Sequence, residues 1–175
     1  GQGSQTVGMM DAWSGHPAAM AVIQQASAAL GEDLGALMAQ GPTEQLSLTT
    51  NTQPAMLTAG VAMYEAWRAA GGPQAALMAG HSLGEYSALV CAGAIDFASA
   101  VSLVRQRGEF MQSAVPVGIG TMAAILGLAD AEVERCCAVA TLAGNVATAA
   151  NYNSPGQLVI AGHVAAVERA VVLCK

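Results

Sequence analysis

A serine with glycines two positions to either side, Gly80-His81-Ser82-Leu83-Gly84, separates two apolar stretches and limits what can be built around it. Upstream, Ala75–Ala79 is a short apolar run with the length of a buried strand. Downstream, Glu85 to about Cys91 is apolar nearly all round, which predicts a buried helix. A strand that turns into a helix over so few residues holds its central side chain at a strained apex. Glycines at the second neighbours remove Cβ atoms that would clash with the strand and the helix. The helix aims its free first-turn N–H groups and the positive end of its dipole at that apex. A hydroxyl there is placed for nucleophilic attack, and the backbone N–H of Leu83 is the natural first donor to an oxyanion. The five-residue pattern can arise by chance in a chain with 20 glycines, and its strand and helix flanks are what give it weight.

A serine nucleophile needs a base, and the three histidines do not supply one. His81 adjoins Ser82, and neighbouring side chains on such a turn diverge. His16 lies in a loop before a helix, and His163 reads as a helix-start residue. The base is therefore expected beyond Lys175.

A second signal lies on the helix predicted from Phe97 to about Gln112, with Asp96 as its N-cap. At 100° per residue, Phe97, Ala100, Val101, Leu103, Val104, Phe110 and Met111 share one broad apolar face. Ser102, Gln106 and Glu109 lie opposite, and Arg105 sits at the boundary. Arg107 falls inside the apolar face, where an unpaired guanidinium is costly. Two readings stay open. Arg107 snorkels or pairs with a core carboxylate, or it awaits a carboxylate brought by a substrate, which its planar fork binds bidentately. An acyl group ending in a free carboxylate satisfies both Ser82 and Arg107.

Composition narrows the class. With 54% apolar and only 10% charged residues the chain can bury a sizeable core. Six basic against twelve acidic residues, a net charge of −6 and no Lys/Arg cluster argue against nucleic acid and anionic membrane surfaces as partners. Cys91, Cys136, Cys137 and Cys174 form no C-x-x-C and read as reduced thiols of a cytoplasmic protein. No apolar run reaches the ~18 residues of a membrane span. Gly1-Gln2-Gly3 does not open a dinucleotide loop, because Thr6 stands where the third glycine belongs. No metal-ligating cluster is expected.

The rest of the chain reads as helices at about Pro17–Leu30, closed by Gly31, and Leu34–Gln40, closed by Gly41-Pro42. A third starts at Thr52 or Gln53 with Pro54 in its first turn and stops at Gly71-Gly72. After Val115-Pro116-Val117-Gly118 the pattern becomes strand (about Thr121–Leu128), helix (about Asp130–Val139), and two strands (about Asn145–Tyr152 and Gln157–Ala161). The turn Asn153-Ser154-Pro155-Gly156 joins those strands, and a last helix runs from near His163 to Lys175. This β-α-β-β-α order is a ferredoxin-like unit short of its final strand. The chain opens without a methionine and stops inside an apolar periodic segment, which reads as a fragment.

Taken in order, Gly1–Gln5, Thr52-Gln53-Pro54-Ala55, Gly80–Ala88, Arg107-Gly108 with Met111, and Asn151–Gln157 resemble the bacterial malonyl-CoA:acyl carrier protein transacylases of type II fatty acid synthesis. The resemblance implies an α/β-hydrolase-like large domain, its front part in 1–116, with an inserted ferredoxin-like subdomain in 117–175. Ser82 would carry the malonyl group from malonyl-CoA to the phosphopantetheine thiol of acyl carrier protein in ping-pong fashion, without a cofactor or metal. Gln2 would give the second oxyanion N–H beside Leu83, Arg107 would hold the malonyl carboxylate, and Gln53 and Asn153 would line the site. The family's histidine base follows the small domain, so this chain alone is expected to be inactive, and the whole protein a monomer. An acyltransferase domain of a polyketide or fatty acid synthase, a serine esterase or thioesterase, and a non-catalytic carrier-protein-binding fragment are the rival readings.

Overall fold

The computed structural model describes residues 3–116 and 118–175, which fall into two units, 1–114 and 115–175.

The regular elements among the described residues of the first unit are all helices. Helix α1 (Pro17–Leu30) opens on proline and closes on Gly31 in the left-handed conformation, φ 66°. After it come α2 (Leu34–Gln40), the single turn α3 (Thr43–Leu46), α4 (Thr49–Ala69), α5 (Leu83–Cys91) and α6 (Phe97–Ser113). Asp96 caps α6 as expected, its Oδ1 accepting the Ser99 N–H at 3.0 Å. The core joins Ala19, Val22, Ile23 and Ala26 of α1 to Ala55, Ala59, Ala62 and Ala66 of α4 and to Ala100, Val101 and Val104 of α6. So many alanines allow close approach of the three backbones along α4.

Three expectations change here. Helix α4 starts at Thr49, so Pro54 lies inside it. Thr52 does not cap, because its hydroxyl donates to the Leu46 carbonyl at 2.6 Å and is spent on the preceding turn. The run 75–79 forms no strand. A strand is a ladder and needs a neighbour; none pairs with it among the described residues, and Leu77 is 92% exposed. Helix α5 has no fully buried residue, and among the described elements its main packing is against α4 and α6.

The second unit is an antiparallel sheet of β1 (Gly120–Leu126), β2 (Ala147–Ser154) and β3 (Gln157–His163), ordered β1-β3-β2. Helices α7 (Asp130–Ala140) and α8 (Val164–Leu173) cover one face. Ile125, Leu158 and Ile160 from the sheet meet Val133, Cys137, Ala166, Val167 and Ala170 from the helices. Ser154 pairs with Gln157, so the connection is the two residues Pro155 and Gly156, tighter than expected. Helix α8 ends at Leu173 with Cys174 as its C-cap, before Lys175. No helix among the described residues is long and apolar enough to cross a membrane.

Candidate active site

Ser82 is the one non-glycine residue with positive φ among those described, at φ 53° and ψ −115°. A side chain rarely adopts that conformation, and holding it costs about 1–3 kcal/mol. The bend that imposes it depends on Gly80. A Cβ there would lie 1.9 Å from the Gly84 carbonyl oxygen and 2.4 Å from the Glu85 nitrogen. Gly84 is different from expectation, since a Cβ on it would meet nothing within 4 Å among the described residues. One glycine of the pair closes the turn.

Ser82 is the N-cap of α5, so the first-turn amides cluster about it. Gly84 N–H donates to the His81 carbonyl at 2.9 Å and Glu85 N–H to the Ser82 carbonyl at 3.2 Å. Leu83 N–H has no acceptor among the described residues. That leaves a donor at the apex for developing negative charge. Gln2, the other expected oxyanion donor, lies outside the described residues.

Arg107 reaches this apex from α6. Its Nη2 donates to Ser82 Oγ at 3.0 Å and its Nη1 to Gln53 Oε1 at 2.5 Å. Gln53 is 3% exposed, and its Nε2 donates to Thr49 Oγ1 at 3.3 Å and to Met111 Sδ at 3.4 Å. The amide is thereby turned with its oxygen toward the guanidinium. Arg107 is half-buried at the edge of the core stripe rather than at its centre. The buried stripe of α6 is Phe97, Ala100, Val101, Val104 and Gly108, while Leu103, Phe110 and Met111 are exposed. A 100° projection ranks a residue by angle alone, and the actual stripe follows where α4 touches.

The two arginines on this helix have opposite partners. Arg105 is bound by Glu32 Oε2 at 2.6 Å and Asn51 Oδ1 at 2.8 Å. Arg107 has neutral partners and no ion pair among the described residues. Its remaining N–H donors are available to a carboxylate. Ser82, Arg107, Gln53 and Met111 line one cleft of about 630 Å³ with Thr52, Met56, His81 and Ser87. No histidine is hydrogen-bonded to Ser82 Oγ among the described residues. His163 Nδ1 instead accepts the Val146 N–H at 3.0 Å, at the head of α8.

The chain matches the acyl transferase domain family over residues 1–175. It belongs to that family. The acyl transferase chain is 60% identical over 176 residues to the malonyl CoA-acyl carrier protein transacylase of Escherichia coli K12, covering all of this chain and 57% of the relative. It also superimposes on the acyl-carrier-protein S-malonyltransferase of Burkholderia pseudomallei 1710b with a TM-score of 0.92. Identity there is 55%, over 99% of this chain and 56% of the other. A third likeness, at 51% identity and TM-score 0.92, covers 99% of this chain and 56% of a chain solved as a type II PKS acyl-carrier protein in complex with its malonyl-transacylase. The chain thus spans a little over half the length of the relatives it matches.

In this acyl transferase chain the structure brings Ser82, Leu83, Gln53 and Arg107 together. Asn153 lies exposed near the end of β2 in the second unit. Thr49 is a support of the site absent from the sequence reading, and Gly108, named there only within the Arg107-Gly108 motif, has a packing role that the sequence reading did not assign. Thr49 sits four residues before Gln53 on one helix face, a spacing that places side chains in contact. Gly108 is a glycine inside a helix, which signals close packing. A Cβ on it would lie 2.7 Å from Thr50 Cα and 2.8 Å from the Thr49 carbonyl oxygen. Gly108→Ala should therefore push α6 off α4 and cost about 1–3 kcal/mol despite the better helix propensity of alanine. Thermal denaturation measures this, and an unchanged melting temperature would contradict the close contact.

Proposed function

We propose that this chain is the front part of a malonyl-CoA:acyl carrier protein transacylase of fatty acid biosynthesis. The supporting observation is Arg107: a half-buried cation without an acidic partner among the described residues, 3.0 Å from the Ser82 hydroxyl. An esterase or thioesterase would have no use for it. A malonyl thioester carries both a carboxylate for the guanidinium and a carbonyl for the hydroxyl.

In this reading Ser82 Oγ attacks the thioester carbonyl and coenzyme A leaves as its thiol. The tetrahedral oxyanion is held by the N–H of Leu83 and that of Gln2. Arg107 keeps the malonyl carboxylate in place, and Gln53, braced by Thr49, keeps Arg107 in place. The phosphopantetheine thiol of acyl carrier protein then takes the malonyl group from Ser82. A histidine supplied beyond Lys175 acts as base for both halves, so the chain alone is inactive. The chemistry calls for no cofactor or metal. The protein works as a cytoplasmic monomer, with residues 1–116 forming the front of an α/β-hydrolase-like domain and 117–175 a ferredoxin-like subdomain. The β1-β3-β2 antiparallel order under two helices supports the second assignment. The names of the relatives and the carrier-protein complex support the substrate and the partner.

The test is mass spectrometry of the full-length protein after incubation with malonyl-CoA. One malonyl group should appear on the peptide holding Ser82 and be absent from Ser82→Ala. An adduct that survives in Ser82→Ala would refute the nucleophile.

A further inference from the structure

Cys136, Cys137 and Cys174 take no part in the chemistry at Ser82. Cys136 and Cys137 are successive residues of α7, and Cys174 is the C-cap of α8. Successive helical side chains do not face each other. Cys137 accordingly turns into the core and is buried there with Val133 and Ala140. Cys136 turns toward the end of α8. Its thiol donates to the carbonyl oxygen of Leu173 at 3.5 Å, the residue directly before Cys174. Cys174 follows directly on the residue that the Cys136 thiol contacts, and it closes the end of α8. Both residues are half-buried and unlinked, so a small oxidant can reach them without unfolding. The two helices share one core, which holds the thiols in register. With the Cys136 thiol 3.5 Å from the carbonyl just before Cys174, a side-chain rotation is the movement needed to close an S–S bond of about 2.05 Å.

We propose that Cys136 and Cys174 form an oxidant-responsive dithiol that closes into a disulfide between α7 and α8 on meeting a peroxide. The Cys136 thiolate attacks one peroxide oxygen, the O–O bond breaks, and the departing oxygen leaves as water after taking a proton. The Cys174 sulfur then attacks the Cys136 sulfenic acid. The S–O bond breaks, the S–S bond forms and a second water leaves. Two thiols lose two electrons and two protons, and one peroxide becomes two waters. Burial, and after it the neighbouring Cys136 thiol, pushes the Cys174 thiol up to about 11. It is thus a poor source of thiolate, which assigns the first attack to Cys136. None of this depends on the acyl-transfer reading.

Trypsin separates the partners, because cleavage after Arg135 and Arg169 leaves Cys136 and Cys174 on different peptides. The full-length protein is treated with hydrogen peroxide, its free thiols are alkylated, and it is digested without reductant. The expected product is the two peptides joined, lighter than their sum by two hydrogens, and split by dithiothreitol. Fragmentation of the wild-type product should place the bond on Cys136. The product should be lost in Cys136→Ser and kept in Cys137→Ala. No joined product, a bond through Cys137, a bond between two molecules, or overoxidised Cys136 with Cys174 free would each overturn the proposal.

Discussion

Replacing Arg107 by alanine should cut malonyl transfer by about 2–4 kcal/mol of transition-state stabilisation, roughly 30- to 1,000-fold, while acetyl transfer or hydrolysis holds or rises. The asymmetry follows from the contacts. Arg107 is bound by one amide oxygen and one hydroxyl, so its charge is not spent within the described protein. In the proposed reaction a malonyl carboxylate would supply the missing counter-charge, and removing the guanidinium would strand that carboxylate in a partly desolvated cleft. An acetyl group has nothing to strand. It also profits from release of Ser82 Oγ, which Arg107 otherwise engages as a hydrogen-bond donor. Steady-state kinetics of the full-length enzyme with both acyl donors makes the comparison. Equal loss on the two would mean that Arg107 supports the site without reading the acyl group.

The second large effect is expected at Gly80. In Gly80→Ala the new Cβ would sit 1.9 Å from the Gly84 oxygen and 2.0 Å from its carbonyl carbon. Both are backbone atoms, so no side-chain rotation relieves the overlap. The bend must open, at or above the ~3 kcal/mol upper end of ordinary overpacking. Opening it moves Ser82 away from the α5 amides and from Arg107. A shift of ~1 Å at a reacting atom can cost ~10²-fold in rate. Malonyl-enzyme formation should fall at least that far, with a lower melting temperature. Gly84→Ala is the internal comparison, since its Cβ meets open space among the described residues, and it should be far milder. A Gly80→Ala enzyme that acylates at the wild-type rate would remove the bend from the mechanism.

Local signals in this sequence were legible. Pro17 and Gly31 bound α1, Asp96 caps α6, and the Ser82 bend stands where five residues place it. Each depends on neighbours within a few positions. The readings that failed needed partners far along the chain. Whether 75–79 is a strand depends on what pairs with it, and whether α5 is buried depends on what covers it. Thr52 was a plausible cap until the Leu46 carbonyl claimed its hydroxyl. Arg107 shows both sides of the division. Periodicity set it apart from the polar face of α6, but only the fold could show its neighbours to be Gln53 and Ser82 while Glu32 goes to Arg105. Thr49 went unnoticed, and Gly108 was read only as part of a motif, because each acts on the site through a neighbour.

The twisted backbone at Ser82 has a consequence for how such a protein would drift if its chemistry were no longer needed. Glycine occupies that conformation without penalty, so exchanging the whole hydroxymethyl side chain for a hydrogen there would relax the chain and raise its durability. Activity and robustness pull in opposite directions at this residue. A copy released from its metabolic duty would lose its nucleophile by becoming sturdier.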